Sequence, residues 1–146
     1  MRTRTALATT LVGLLAVGSA TPSFAAKPKP KPKPIHGGFT ATATPDPTSD
    51  TPNGSAKCDP KTPTARVIQV FTVPAAGTLH VAVNNKLDWS ADLRDASGVI
   101  ADSDGDLPNT PESLDGFFKK KTKVTIGVCN FSGEPQVNVT YTFTYK

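Results

Sequence analysis

The chain has 146 residues with 14 prolines, two cysteines, two histidines and a formal net charge of +4. The excess charge sits outside the C-terminal part: Arg2 and Arg4 lie in the leader, four Lys face two Asp within 26–56, and ten basic residues balance ten acidic ones from Lys57 to Lys146. That balance argues against nucleic acid as a main partner, and two histidines without a His-Glu-x-x-His spacing leave zinc sites and nucleophilic triads poorly supplied.

Met1 to Ala25 reads as a secretory signal: Arg2 and Arg4, an apolar run from Ala6 to Val17, then Ser23-Phe24-Ala25 before a plausible cut. The run is about 12 residues, short of the roughly 20 that a membrane span needs, so no span is expected. Lys27 to Pro34 repeats Lys-Pro four times. Each proline fixes its own φ and restricts the residue before it, which favours an extended rod. From Ile35 to Ala56 only Ile35 and Phe39 are large and apolar, so residues 26–56 are expected to form a disordered linker. Lys27, Lys29, Lys31 and Lys33 offer it a weak contact with anionic cell-wall polymer. His36-Gly37-Gly38 has no Gly-x-Ser-x-Gly to accompany it, and is no lipase signature.

Residues 57–146 are expected to fold. Two cysteines in an exported chain most often pair, and a Cys58–Cys129 bridge would close a loop of about 70 residues, a large gain for a domain this small. The alternatives, free thiols or a redox pair, lack a Cys-x-x-Cys spacing. Val67 to Val73 reads as a strand ended by Pro74, and Thr78 to Asn84 as a second, with Leu79, Val81 and Val83 on one face and His80 on the other. Trp89, Ala91 and Leu93 alternate with Ser90, Asp92 and Arg94. This phase places Trp89 in the core rather than against a sugar ring, and sends Asp92 to a polar face that meets water. A short strand at Val99 to Ala101 follows the Ser97-Gly98 turn.

In Asp102-Ser103-Asp104-Gly105-Asp106, three carboxylates at alternate positions around a glycine can converge on calcium. Asp102, Asp104 and Asp106 are the candidate metal ligands, with Asp88, Asp92 and Asp95 as further donors. An ordinary solvated turn is the alternative, because Asp and Gly are common turn residues, and the EF-hand register fails with Gly at the fourth position and Ser113 at the twelfth. Leu114 to Phe118 leads into Lys119-Lys120-Lys121 and Lys123, read either as an anion or glycan contact or as a charged hairpin turn that discourages edge pairing. Val124, Ile126 and Val128, then Val137, Val139, Tyr141, Phe143 and Tyr145, alternate with polar residues on either side of a Ser-Gly turn. They point to two neighbouring strands, each with one buried face. Seven or eight short strands with no helical window argue for an antiparallel β-sandwich.

Phe71-Thr72-Val73-Pro74-Ala75-Ala76-Gly77-Thr78-Leu79, Ser90-Ala91-Asp92-Leu93-Arg94-Asp95-Ala96-Ser97-Gly98 and Tyr141-Thr142-Phe143-Thr144 occur in the order in which a bacterial pre-peptidase C-terminal domain carries similar segments. The chain resembles that family from about Arg66 to Tyr145. The resemblance implies a jelly-roll-like sandwich that serves secreted peptidases as a noncatalytic appendage, in some cases binding collagen, polysaccharide or calcium. Arg94 stands where the family is often aromatic. The expectation is therefore a secreted, noncatalytic binding or accessory module at or outside the cell envelope, free-standing without its peptidase, whose partner is an extracellular polymer or protein. The other readings are a calcium-stabilised adhesion module and a structural envelope protein.

Overall fold

The computed structural model describes residues 29–47, 58–59, 62–84, 87–103 and 111–146; apart from 29 and 30 these belong to the compact unit Lys31–Lys146. The expected signal, residues 1–25, lies outside the described residues. Eight strands follow in chain order: β1 (Ile35–Thr42), β2 (Arg66–Val73), β3 (Gly77–Asn84), β4 (Trp89–Asp95), β5 (Gly98–Ser103), β6 (Glu112–Phe118), β7 (Thr122–Asn130) and β8 (Gln136–Tyr145). Every pairing is antiparallel. β4 pairs with β5, β3 with β6, β2 with β7 and β1 with β8, as in one long ribbon folded back on itself. Wrapping that ribbon adds β3–β8 and β4–β7 and gives two four-stranded sheets, A (β1-β8-β3-β6) and B (β2-β7-β4-β5). This is the wiring of a jelly roll, and the expected all-β sandwich is the observed fold.

The core lies between the sheets, where the period-two pattern delivers alternate side chains. Leu79, Val81, Val83, Val139 and Phe143 come from sheet A; Val73, Ala91, Leu93, Ile126 and Val128 come from sheet B. Phe71 crosses between the layers, with its ring centroid 5.2 Å from Tyr141 and 6.2 Å from Phe143. Trp89 is buried, in the phase its alternation predicts.

Three expectations about connectivity are corrected. β7 and β8 are not hydrogen-bonded neighbours; they sit in opposite sheets. The reason is Asn130, whose buried Nδ2 donates to the carbonyls of Ala43 and Glu134 at 3.0 and 3.1 Å while its Oδ1 accepts from Gly133 N–H at 2.6 Å. These bonds hold 131–135 as an arch across the end of the sandwich rather than a hairpin. For the same topological reason Lys119 to Lys121 bridges β6 of sheet A to β7 of sheet B, so it is not a hairpin turn. Among the described residues only the β4–β5 connection, through Ala96 and Ser97, is a hairpin, with Gly98 at φ +121°. There Asp95 accepts hydrogen bonds from the Ser97 hydroxyl and N–H, which hold its carboxyl below the usual carboxylate range.

Ile35–Thr42, expected within the disordered 26–56, is the edge strand β1, in register with β8 from Ile35↔Phe143 to Thr42↔Gln136. Few large apolar residues are needed there. β8 supplies a complete row of backbone partners; on the core-facing side of β1 Ala41 is buried, Phe39 packs partly buried against the core and the Tyr141 ring fills the space that a Cβ on Gly37 would need, with Ala43 buried just beyond the strand. The strand is then fastened by Ala43 N–H to Pro135 C=O, Thr44 N–H to Thr64 C=O and Asp46 N–H to Asn130 C=O, each at 3.0 Å. Residues 26–28 and 48–56 of the expected linker lie outside the described residues.

Candidate functional site

The outer face of sheet B carries a second, structural centre. Cys129 points outward from β7 and forms the expected disulfide with Cys58, with Cα atoms 5.3 Å apart; both cysteines pack with Phe131 in a small buried cluster. Beside it Asp92 is 1 % exposed, contrary to the expectation that it meets water. Its Oδ1 and Oδ2 accept from Arg66 Nη2 at 2.9 and 3.1 Å, and Oδ2 also accepts from Arg94 Nε. Arg94 in turn donates from Nη2 to the carbonyl of Cys58 at 3.1 Å. The carboxylate is thus paired on both sides, as a buried charge must be, and Arg94 couples the ion cluster to the disulfide.

Arg66 on β2 and Asp92 on β4 are separated by β7, and they meet because the intervening residue is Gly127. A Cβ there would collide with Asp92 Oδ1 and approach Arg66 Nη2 to 2.6 Å. An isolated glycine inside an alternating strand signals such a close approach, so this was the one sequence clue to the cluster. Gly127→Ala should cost about 1–3 kcal/mol by forcing the ion pair apart, read as a fall in the urea midpoint at unchanged slope; a midpoint equal to wild type would show that the cluster can open without loss.

The candidate calcium ligands are only partly visible. Asp102 lies on β5, paired with Asp92 in register and exposed, while Ser103 faces inward, its Oγ accepting from Ala91 N–H at 3.1 Å. The strand therefore runs two residues further than the expected Val99 to Ala101. Asp104 and Asp106 lie outside the described residues. Asp92 lies directly across from Asp102 but is taken up by the two arginines, and Asp95 belongs to the hairpin at the other end of β4. Among the described residues no group of three His, Cys, Asp or Glu side chains could hold a metal ion.

Sheet A presents a different outer face. Its four strands align Asp115, His80, Thr142 and His36 in one row, with Phe117, Thr78 and Thr144 in the next row on one side and Ser113, Ala82, Thr140 and Gly38 on the other. His80 Nδ1 lies 2.9 Å from Asp115 Oδ1, and His36 Nδ1 3.0 Å from Thr142 Oγ1. His80 is exposed as expected, and nothing in the sequence signalled that both histidines of the chain share one row. Towards the β7–β8 arch this face ends in a hollow of about 320 Å³, lined by Thr40, Asn84, Leu87, Glu134, Gln136 and Asn138 over Trp89. Thr40 Oγ1 donates to Asn138 Oδ1 at 3.2 Å. Hydroxyl and amide groups of this kind donate and accept at once, which suits a ligand made of alternating donors and acceptors.

No family model matches the sequence, and a search of curated proteins finds no significant relative. Among the described residues no helix is long and apolar enough to cross a membrane.

Proposed function

We propose that the protein is a secreted, noncatalytic binding or accessory module that acts at or outside the cell envelope, and that it contacts its ligand through the outer face of sheet A. The observation that carries this is the hollow beside Asn84 and Asn138: an amide- and hydroxyl-lined depression at the end of the outer face of sheet A, open to solvent. A polyhydroxylated polymer fits its chemistry, since each sugar hydroxyl can both give and take a hydrogen bond there. The disulfide, the leader sequence and the resemblance of three ordered segments to pre-peptidase C-terminal domains support the extracytoplasmic part of the reading.

The test is retention on insoluble chitin, cellulose and peptidoglycan, with soluble product assayed in parallel. Saturable retention on one of them, weakened about tenfold by Asn138→Ala together with Gln136→Ala, is the expected result; about 1.4 kcal/mol from lost hydrogen bonds is enough for that factor. Release of soluble sugar would make the protein an enzyme instead, and retention unaffected by the double variant would move the ligand off this face.

A further inference from the structure

We propose that the end of the sandwich carrying the β2–β3 and β6–β7 connections docks on a bilayer of net negative charge. Basic segments far apart in the sequence finish there. Ile35 opens β1 opposite Phe143, so the exposed lead with Lys31 and Lys33 leaves the sheet close to the C-terminus. Lys119, Lys120 and Lys121 form the exposed β6–β7 connection, and Lys146, also exposed, is tied to the β2–β3 turn by its N–H to Ala76 C=O at 3.1 Å. Among the described residues the acidic side chains nearest this end are Asp95, in the β4–β5 hairpin, and Asp115, one row in from Phe117 and paired with His80, whereas Asp46, Asp88, Asp102, Glu112 and Glu134 stand at or near the opposite end. Among the described residues this end therefore carries more basic than acidic side chains.

Lysines alone would suit any polyanion; the aromatic residues beside them narrow the choice. Phe117 is 75 % exposed, the highest value among the large apolar side chains described. With Gly77, Thr78, Phe118 and Tyr145 it lines a mainly apolar hollow of about 390 Å³, between Lys119 and Lys146. A soluble polyanion leaves that ring in water. The boundary between headgroups and acyl chains takes it out of water while the lysines meet lipid phosphates, and this combination of an apolar anchor with clustered cations is what binds proteins to anionic membrane surfaces. The surface lies at the opposite end from the Trp89 hollow, so the proposal stands or falls independently of the sheet A reading.

The experiment is sedimentation of the full chain with vesicles of mixed phosphatidylglycerol and phosphatidylcholine, and with phosphatidylcholine alone, at about 0.1 M salt and again at about 0.5 M. Residues 1–25 contribute equally to every variant, so the comparison between variants isolates this end. Binding should favour the anionic vesicles and fade at the higher salt. Lys119→Gln, Lys120→Gln and Lys121→Gln together should weaken it about a hundredfold, about fivefold for each lysine. Phe117→Ser should weaken vesicle binding several-fold while leaving the affinity for soluble polyphosphate unchanged. All four positions are exposed, and an unaltered melting temperature confirms that the variants fold. Binding indifferent to lipid charge overturns the proposal. So does a Phe117→Ser variant that binds vesicles as well as wild type, which would make this end a contact for a soluble polyanion.

Discussion

Asp92→Asn should lower the stability of the domain by about 3 kcal/mol, near the lower end of what losing one partner of a buried ion pair costs. The substitution keeps the shape of the side chain and removes its charge, leaving Arg66 and Arg94 facing each other across a neutral amide. The lower end is appropriate because the two arginine side chains keep 15 % and 30 % of their surface in water, while Asp92 keeps 1 %. Arg66 Nε is already buried without a hydrogen-bond partner, so the cluster has no spare acceptor to take over. Urea denaturation of the variant checks the figure. A loss under about 1 kcal/mol would mean that the arginines relax into solvent, and that the cluster does no more than a surface ion pair.

Opening the Cys58–Cys129 bridge is the second large effect. The cysteines are 71 residues apart in sequence, and closing a loop of that length removes about 4 kcal/mol of chain entropy from the unfolded state, an upper figure. For a domain of this size such a loss corresponds to a fall of about 15 °C or more in melting temperature. Cys58→Ser with Cys129→Ser should show it without reductant, and reduction of the wild type should reproduce it. The bridge is also joined to Asp92 through Arg94 and the Cys58 carbonyl. Combining Asp92→Asn with the open bridge should therefore cost less than the two losses added, because sites that share a partner couple. Strict additivity would show that the carbonyl contact carries no weight.

These two effects mark how differently the parts of the molecule could be read. The strand identities were legible because each depends on its own few residues: Leu79, Val81 and Val83 declare a buried face by alternation alone, as do Val124, Ile126 and Val128. The pairing of Cys58 with Cys129 followed from there being no other cysteine. β1 is not legible because, with Gly37 and Ala41 beside it in the core-facing row, Phe39 alone packs a large side chain against the core; what makes it a strand is the edge of β8, which its own sequence does not contain. Asp92 was misplaced for a related reason. Alternation correctly put it on the face of β4 away from the core, but whether that face meets water depends on the segment at Cys58 and on Arg66 from another strand.

What the sequence by itself determined is therefore the class of fold, the strand phases and the disulfide, all set by local periodicity or by elimination. Only the tertiary structure decided which strands are neighbours and which charges meet. A nested ribbon places β7 and β8 in opposite sheets although a five-residue turn joins them. The same wrapping brings Lys31 and Lys33 to the end that carries Lys119 to Lys121, away from Asp46, Asp88, Glu112 and Glu134 at the other, and aligns His36 with His80 across β8. The physical reason is that side-chain periodicity is a property of one strand, whereas a surface is made by the register between several, and register is fixed only when the whole core closes.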